Sequence, residues 1–210
     1  MQDENAILEA YLDTLLTEGK EPASVYAFCK SLDISEAVFY ERFPSFDGVE
    51  ARLWEKLFEQ ALESLEADED YANLSGRQKM LALFYAIFEQ MPARRSYLLM
   101  RFPGFGKCEG MGRLEAFKKR FESHTGEILE EAAGNGEIVR RGRLNEGYPY
   151  LFYMSFLFIL DYHLKDASQG FERTDALVEK SVNLLFDMLE QQVVESAFDI
   201  ARFLMQKEHA

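Results

Sequence analysis

The chain has 210 residues, of which 48% are hydrophobic and 29% charged, with 37 acidic against 23 basic side chains and a formal net charge of −14. That length accommodates one small module plus a larger domain with its own core. So acidic a balance argues against a nucleic-acid coat or an anionic-membrane binder, because both recruit Lys and Arg. The N-terminus, MQDENAIL, is acidic and lacks the basic-then-apolar layout of a signal peptide. Ala6, Ile7, Ala10, Tyr11 and Leu15 predict an amphipathic first helix that ends at Gly19, where a residue without a side chain closes the last turn in left-handed geometry.

Between Ser24 and Val49 the apolar pattern runs, breaks and resumes. Val25, Phe28, Cys29 and Leu32 recur at helical spacing, Asp33-Ile34-Ser35 interrupts them, and Val38, Phe39 and Phe43 take the pattern up again before Pro44. Ser35 is placed to cap the second helix, and Pro44 disfavours helical geometry at Phe43, so that helix is held to about two turns. Two short helices across a tight turn have the layout of a helix-turn-helix unit, whose second helix enters the DNA major groove.

A long helix is expected from about Asp47 to Glu66, with Val49, Leu53, Trp54, Leu57, Phe58, Ala61, Leu62 and Leu65 as its apolar set and Asp47 at the positive end of its dipole. DEDYANLS (68–75) is a polar break. Arg77 to Met91 reads as a helix with an aromatic stripe of Phe84, Tyr85 and Phe88; Pro92 restarts a helix over Ala93 to Phe102 that carries Arg94 and Arg95, and Pro103-Gly104-Phe105-Gly106 breaks it. Gly110 to Ala133 is helical with Leu114, Phe117, Phe121, Ile128 and Leu129 inward and Lys118, Lys119 and Arg120 as a basic patch, up to Gly134-Asn135-Gly136. Glu137 to Gly147 is a connector with a basic tip. Pro149 opens an apolar helix to about Lys165, and Thr174 is placed to cap a final helical region with Leu177, Val182, Leu185, Phe186, Leu189, Val193, Phe198, Ile200 and Leu204. No segment has strand period and no repeat stands out, so the fold class is all-α. The most apolar run, Tyr148 to Leu160, is too short to span a bilayer. Cys29 and Cys108 lie far apart, which fits a reduced, cytoplasmic protein.

The residues of 24–46 resemble the DNA-binding segment of the tetracycline-repressor (TetR) family, which reads Thr/Ser-Val-x-x-Ile-Ala, then Gly-Val-Ser, then Tyr-x-x-Phe-Pro-Ser-Lys. Ser24, Val25, Phe28 and Cys29 match the first part, Ile34 and Ser35 the turn, and Tyr40, Phe43, Pro44 and Ser45 the last. Asp33 stands in place of the usual Gly and Phe46 in place of the usual Lys. The resemblance implies a three-helix DNA-binding domain over 1–48, with Ser24, Ser35, Tyr40, Arg42 and Ser45 contacting phosphates and Ala37, Val38 and Phe39 facing groove or core. It further implies an effector-binding and dimerisation domain over 49–210. There Phe84, Phe88, Tyr97, Met100, Phe117, Phe121 and Tyr153 are the candidates to line an apolar effector pocket. Tyr150, Met154, Leu157 and Phe158, with Leu177, Val178, Leu184, Leu185 and Met188, offer more apolar face than one partner helix each covers, and the family dimerises through its last long helices.

Enzyme chemistry finds no foothold. Neither a nucleophile elbow nor a phosphate-cradling loop nor a zinc-ligand helix is present in the sequence, and Gly104-Phe105-Gly106-Lys107 lacks the upstream glycine and the following Ser/Thr of a phosphate loop. Asp161 and His163 point in different directions on a helix, while His124 and His209 lack neighbours at metal-ligand spacing. The expectation is a non-enzymatic, cofactor-free homodimeric repressor released from its DNA operator by a small apolar effector. A second reading, a helical interaction module of the same fold without DNA binding, rests on Phe46 and on the first 60 residues, where five basic side chains face thirteen acidic ones, a balance of −8.

Overall fold

The computed structural model describes residues 4–107, 110–140 and 142–190. Among them are nine α-helices: α1 (Glu4–Glu18), α2 (Val25–Ser31), α3 (Glu36–Tyr40), α4 (Phe46–Glu66), α5 (Gly76–Phe88), α6 (Met91–Arg101), α7 (Glu115–Gly134), α8 (Tyr148–His163) and α9 (Glu172–Glu190). Short 3-10 turns lie at Tyr71–Asn73, Met111–Leu114, Gly142–Gly147 and Gln169–Phe171, and the described residues contain no strand. Cys108 and residues 191–210, where the final helical region was expected to continue, lie outside the described residues. Two compact units emerge: Met1–Ser64 with Ile87–Arg120, and Leu65–Ala86 with Phe121–Ala210. The boundary expected after residue 48 falls within α4 and inside the first unit.

In the first unit, α1 stops where Gly19 takes φ 70° and returns its N–H to the Leu15 carbonyl at 3.0 Å. Ile7, Leu8, Tyr11 and Leu15 are its buried face, and α1 packs against α6. An aromatic cluster forms the centre of the N-terminal helices. Phe46 stacks on Tyr11 at 5.3 Å, and Phe28 meets Phe39 edge-on at 6.2 Å and Phe46 at 5.6 Å. Burying each such ring contributes roughly 1.5–3 kcal/mol, and edge-to-face contacts add to that. Farther along α4, Trp54 and Phe58 both meet the ring of Phe117.

In the second unit, Phe84, Phe121, Tyr153 and Phe156 are packed ring to ring, and Phe152 meets Phe186 at 5.7 Å. Gly76 opens α5 because a Cβ there would meet the Cβ of Ala132 at 2.5 Å; the backbones approach too closely for any side chain. Glu137 accepts from the freed Gly76 and Arg77 amides at 3.0 and 3.4 Å, capping that end.

The start of α9 corrects one expectation. Thr174 is inside the helix and buried, and the group that satisfies the helix start is Asp166. Its carboxylate accepts from Ser168 N and Oγ at 2.8 and 2.7 Å and from Thr174 N and Oγ1 at 3.0 and 2.7 Å. Burial alone would raise the Asp166 pKa, but these four donors hold it well below the usual carboxylate range. A carboxylate upstream thus captures the threonine hydroxyl that would otherwise cap locally.

Candidate nucleic-acid interface and effector pocket

α2 and α3 pack on each other across a four-residue turn. The Ile34 amide reaches back to the Cys29 carbonyl at 3.0 Å, and Asp33 holds φ 55°, a left-handed conformation that Asp tolerates better than most residues. Ser35 caps α3 as the sequence predicts, its Oγ accepting from Val38 N at 3.4 Å. Two further serines act in the same way: Ser24 Oγ accepts from Ala27 N at 3.1 Å to cap α2, and Ser45 Oγ accepts from Gly48 N at 3.2 Å at the start of α4. All three hydroxyls are exposed and keep their own hydrogens to donate.

Of the remaining DNA-facing candidates, Ala37, Tyr40 and Arg42 are exposed and Val38 is half-buried. Phe39 is different. It is completely buried among Phe28, Phe43 and Phe46, so it is a core ring and reaches no groove. Phe46 likewise does not take over the surface position of the family's usual lysine. It is 7% exposed and completes the aromatic cluster. Glu36 and Glu41 share the exposed side of this segment with Arg42.

The seven effector-pocket candidates are divided between the two units. Phe84, Phe121 and Tyr153 come together in the second unit, but with Phe156 they fill its core against one another. Phe88, Tyr97, Met100 and Phe117 belong to the first unit; Phe88 and Phe117 are buried and Met100 is 40% exposed. Tyr97 borders a cleft of about 120 Å³ among α1, α4 and α6. Leu12, Leu16, Leu53, Trp54, Leu57 and Leu98 form its apolar wall, and Arg94 and Ser96 stand beside Tyr97.

Next to this cleft lies a charged node that the sequence pattern hid. Glu50 is fully buried on α4 and accepts from Tyr11 Oη at 2.6 Å, Tyr97 Oη at 3.2 Å and Arg101 Nε at 3.1 Å. Arg113 approaches it at 3.4 Å while also bonding Asp47 at 2.6 Å, and Arg101 also reaches Glu21. Burial, then the neighbouring Glu50 carboxylate, pushes both tyrosine pKa values far up, so both phenols stay protonated donors. The signal was present: Glu50 lies four residues from both Phe46 and Trp54, on the face of α4 that is otherwise apolar.

On α8 and α9 the expected apolar surface divides in two. Leu157 and Val178 turn inward, at 5% and 0% exposure. Tyr150, Leu151, Phe158 and Tyr162 on α8, and Leu184 and Met188 on α9, remain exposed. On α8 Leu151, Phe158 and Tyr162 lie seven and four residues apart with Tyr150 beside Leu151, and on α9 Leu184 and Met188 lie four apart, so each set follows one side of its helix.

No helix among the described residues is long and apolar enough to cross a membrane, and no group of three His, Cys, Asp or Glu gathers there at metal-binding distance. A comparison with curated proteins finds no match. The family model described as "Tetracyclin repressor-like, C-terminal domain" matches residues 79–204, more than half of the chain. With an all-helical fold and a capped pair of short N-terminal helices beside that match, the chain belongs to the tetracycline-repressor-like (TetR) family.

Proposed function

We propose that the protein is a cytoplasmic, non-enzymatic transcriptional regulator that binds operator DNA as a homodimer and leaves it when a small effector binds. The observation that carries this reading is the α2–turn–α3 pair in a member of the TetR family: two capped helices whose exposed residues include Ser24, Ser35, Ala37, Tyr40, Arg42 and Ser45. Hydroxyls and a single arginine suit phosphate contact, which fixes register on the duplex. The exposed stripes on α8 and α9 support the dimer, because contiguous apolar surface of this kind is what subunit interfaces cover. Effector release is then a population shift, with the ligand favouring the placement of the DNA-binding helices that does not fit the operator.

Domain limits of 1–48 and 49–210 belong to this proposal. A second reading, an interaction module that keeps the fold without binding DNA, is favoured by one observation: Glu36 and Glu41 are both exposed on the segment that would face phosphates. Selecting bound fragments from a genomic DNA library separates the two. Enrichment of a two-fold symmetric site is expected of the regulator, and no enrichment over a protein-free control is expected of the interaction module.

A further inference from the structure

Several half-buried cations of the first unit pair with acids, whereas Arg94 and Lys56, also half-buried, meet neutral acceptors among the described residues. Arg52, Arg101, Arg113 and Arg120 all reach carboxylates. Arg94, although half-buried, donates only to neutral acceptors: Gln60 Oε1 at 2.7 Å and the Gln90 carbonyl at 3.5 Å. Desolvation accordingly lowers its pKa, with no bonded acid to oppose it. Lys56 Nζ meets the amide oxygen of Asn5. In a chain with 37 acids, two cations left to amides at one place call for an explanation.

The place is the cleft among α1, α4 and α6. Arg94 lines it, and together with Lys56 and Gln60 it also lines an adjoining recess of about 150 Å³ that shares Leu12 and Leu53 with the cleft. The result is one apolar slot floored by Trp54 and Leu57, with a polar mouth where Arg94 and Lys56 stand. Glu9, which is exposed, is the acid that borders this mouth. A cleft this size is below the range of roughly 300–1,000 Å³ for drug-sized ligands, so it suits a short chain.

We propose that this slot is a binding site for a small amphipathic carboxylate, a medium-chain acyl acid, with its tail between Leu12, Leu53 and Trp54 and its carboxylate on the Arg94 guanidinium. A guanidinium presents paired N–H groups that match a carboxylate in a bidentate fork, which Gln60 and the Gln90 carbonyl do not supply. Lys56 adds a second positive charge at the mouth. Affinity then rises about fourfold for each methylene added until the slot is full. The site stands whether or not the protein binds DNA.

Trp54 is the single tryptophan of the chain and lies in the wall of the slot, so its fluorescence reads occupancy directly. Titrations with hexanoate, octanoate, octanol and octylamine, each with a melting curve at saturation, form the test. Octanoate is expected to give a saturable change and a raised melting temperature, with hexanoate and octanol each tenfold or more weaker and octylamine inert. Arg94→Gln is expected to weaken octanoate at least tenfold while leaving octanol unchanged, and Lys56→Gln to weaken octanoate a few-fold. Octanol matching octanoate, an Arg94→Gln protein titrating like the parent, or neither signal moving with octanoate would overturn the proposal. Should Arg94→Gln not fold, the octanoate–octanol contrast and Lys56→Gln still decide.

Discussion

Two exposed faces of this molecule ask for different partners. The segment from Glu36 to Arg42 shows solvent two acids, one arginine, a tyrosine and an alanine, whereas α8 and α9 show it Tyr150, Leu151, Phe158, Tyr162, Leu184 and Met188. The second face would gain by burial, so association proposed through it should be nearly indifferent to salt. The first face has little apolar area to bury and works against two carboxylates, so whatever it holds is held by hydroxyls and one guanidinium. An acidic protein can read DNA on such a face only if its contacts lean on neutral donors, which makes the two faces separable by experiment.

The largest effect is expected at Phe28, the ring that supports the first face from within. Phe28→Asp places an unpaired charge among Tyr11, Phe39 and Phe46, at a cost on the order of several kcal/mol. Circular dichroism should show loss of part of the helical signal, DNA binding should vanish, and sedimentation should still show a dimer. A native spectrum and melt would mean that Phe28 is not core. Next comes the other face: Leu184→Lys with Met188→Lys removes two apolar anchors and adds like charges, so the dimer should weaken by roughly 100-fold or more. Sedimentation at micromolar concentration reads this, and an unchanged mass would place the interface elsewhere.

A smaller effect, on the order of 1–3 kcal/mol, is expected for Asp166→Asn, which weakens the four hydrogen bonds at the start of α9. Because the folded pKa of Asp166 is depressed, its contribution is present above the unfolded value of about 3.9 and is lost as pH falls below it. Melts of the parent should therefore lose stability below about pH 4, and the variant should lose less over the same interval. Equal slopes would remove Asp166 as the cause. Smallest is Glu36→Lys, which converts repulsion to attraction at an exposed position and should tighten binding to a random duplex several-fold at low salt.

What could be read from the sequence was what local chemistry decides. Gly19 and Asp33 mark turns through their own backbones and Ser35 marks a cap through its own hydroxyl, and all three behave as their residue types require. The inward set of α7 and the turn before it was equally visible, since Leu114, Phe117, Phe121, Ile128 and Leu129 recur at helical spacing and are all buried. Long-range chemistry was hidden. Glu50 looked like one acid among many, because the groups that make its burial tolerable, Tyr11, Tyr97, Arg101 and Arg113, come from other segments of the chain. Phe46 stands where the family usually has a lysine, and it is the packing of Tyr11 and Phe28, from other segments, that makes this position core. Spacing identifies aromatic faces but does not say whether the rings enclose a space or fill it.

Whether the α3 face reads DNA is decided by fluorescence anisotropy on a duplex recovered from the genomic selection, compared with a random duplex across a range of salt concentrations. The selected duplex is expected to bind about a thousandfold or more tighter than the random one. With Arg42 and Lys30, an exposed lysine in the last turn of α2, as the main cations of each half, the slope of log K against log salt should be about −4 or weaker. No preference for the selected duplex, together with no gain from Glu36→Lys on random duplex at low salt, would contradict DNA binding and leave the α3 face to a different partner.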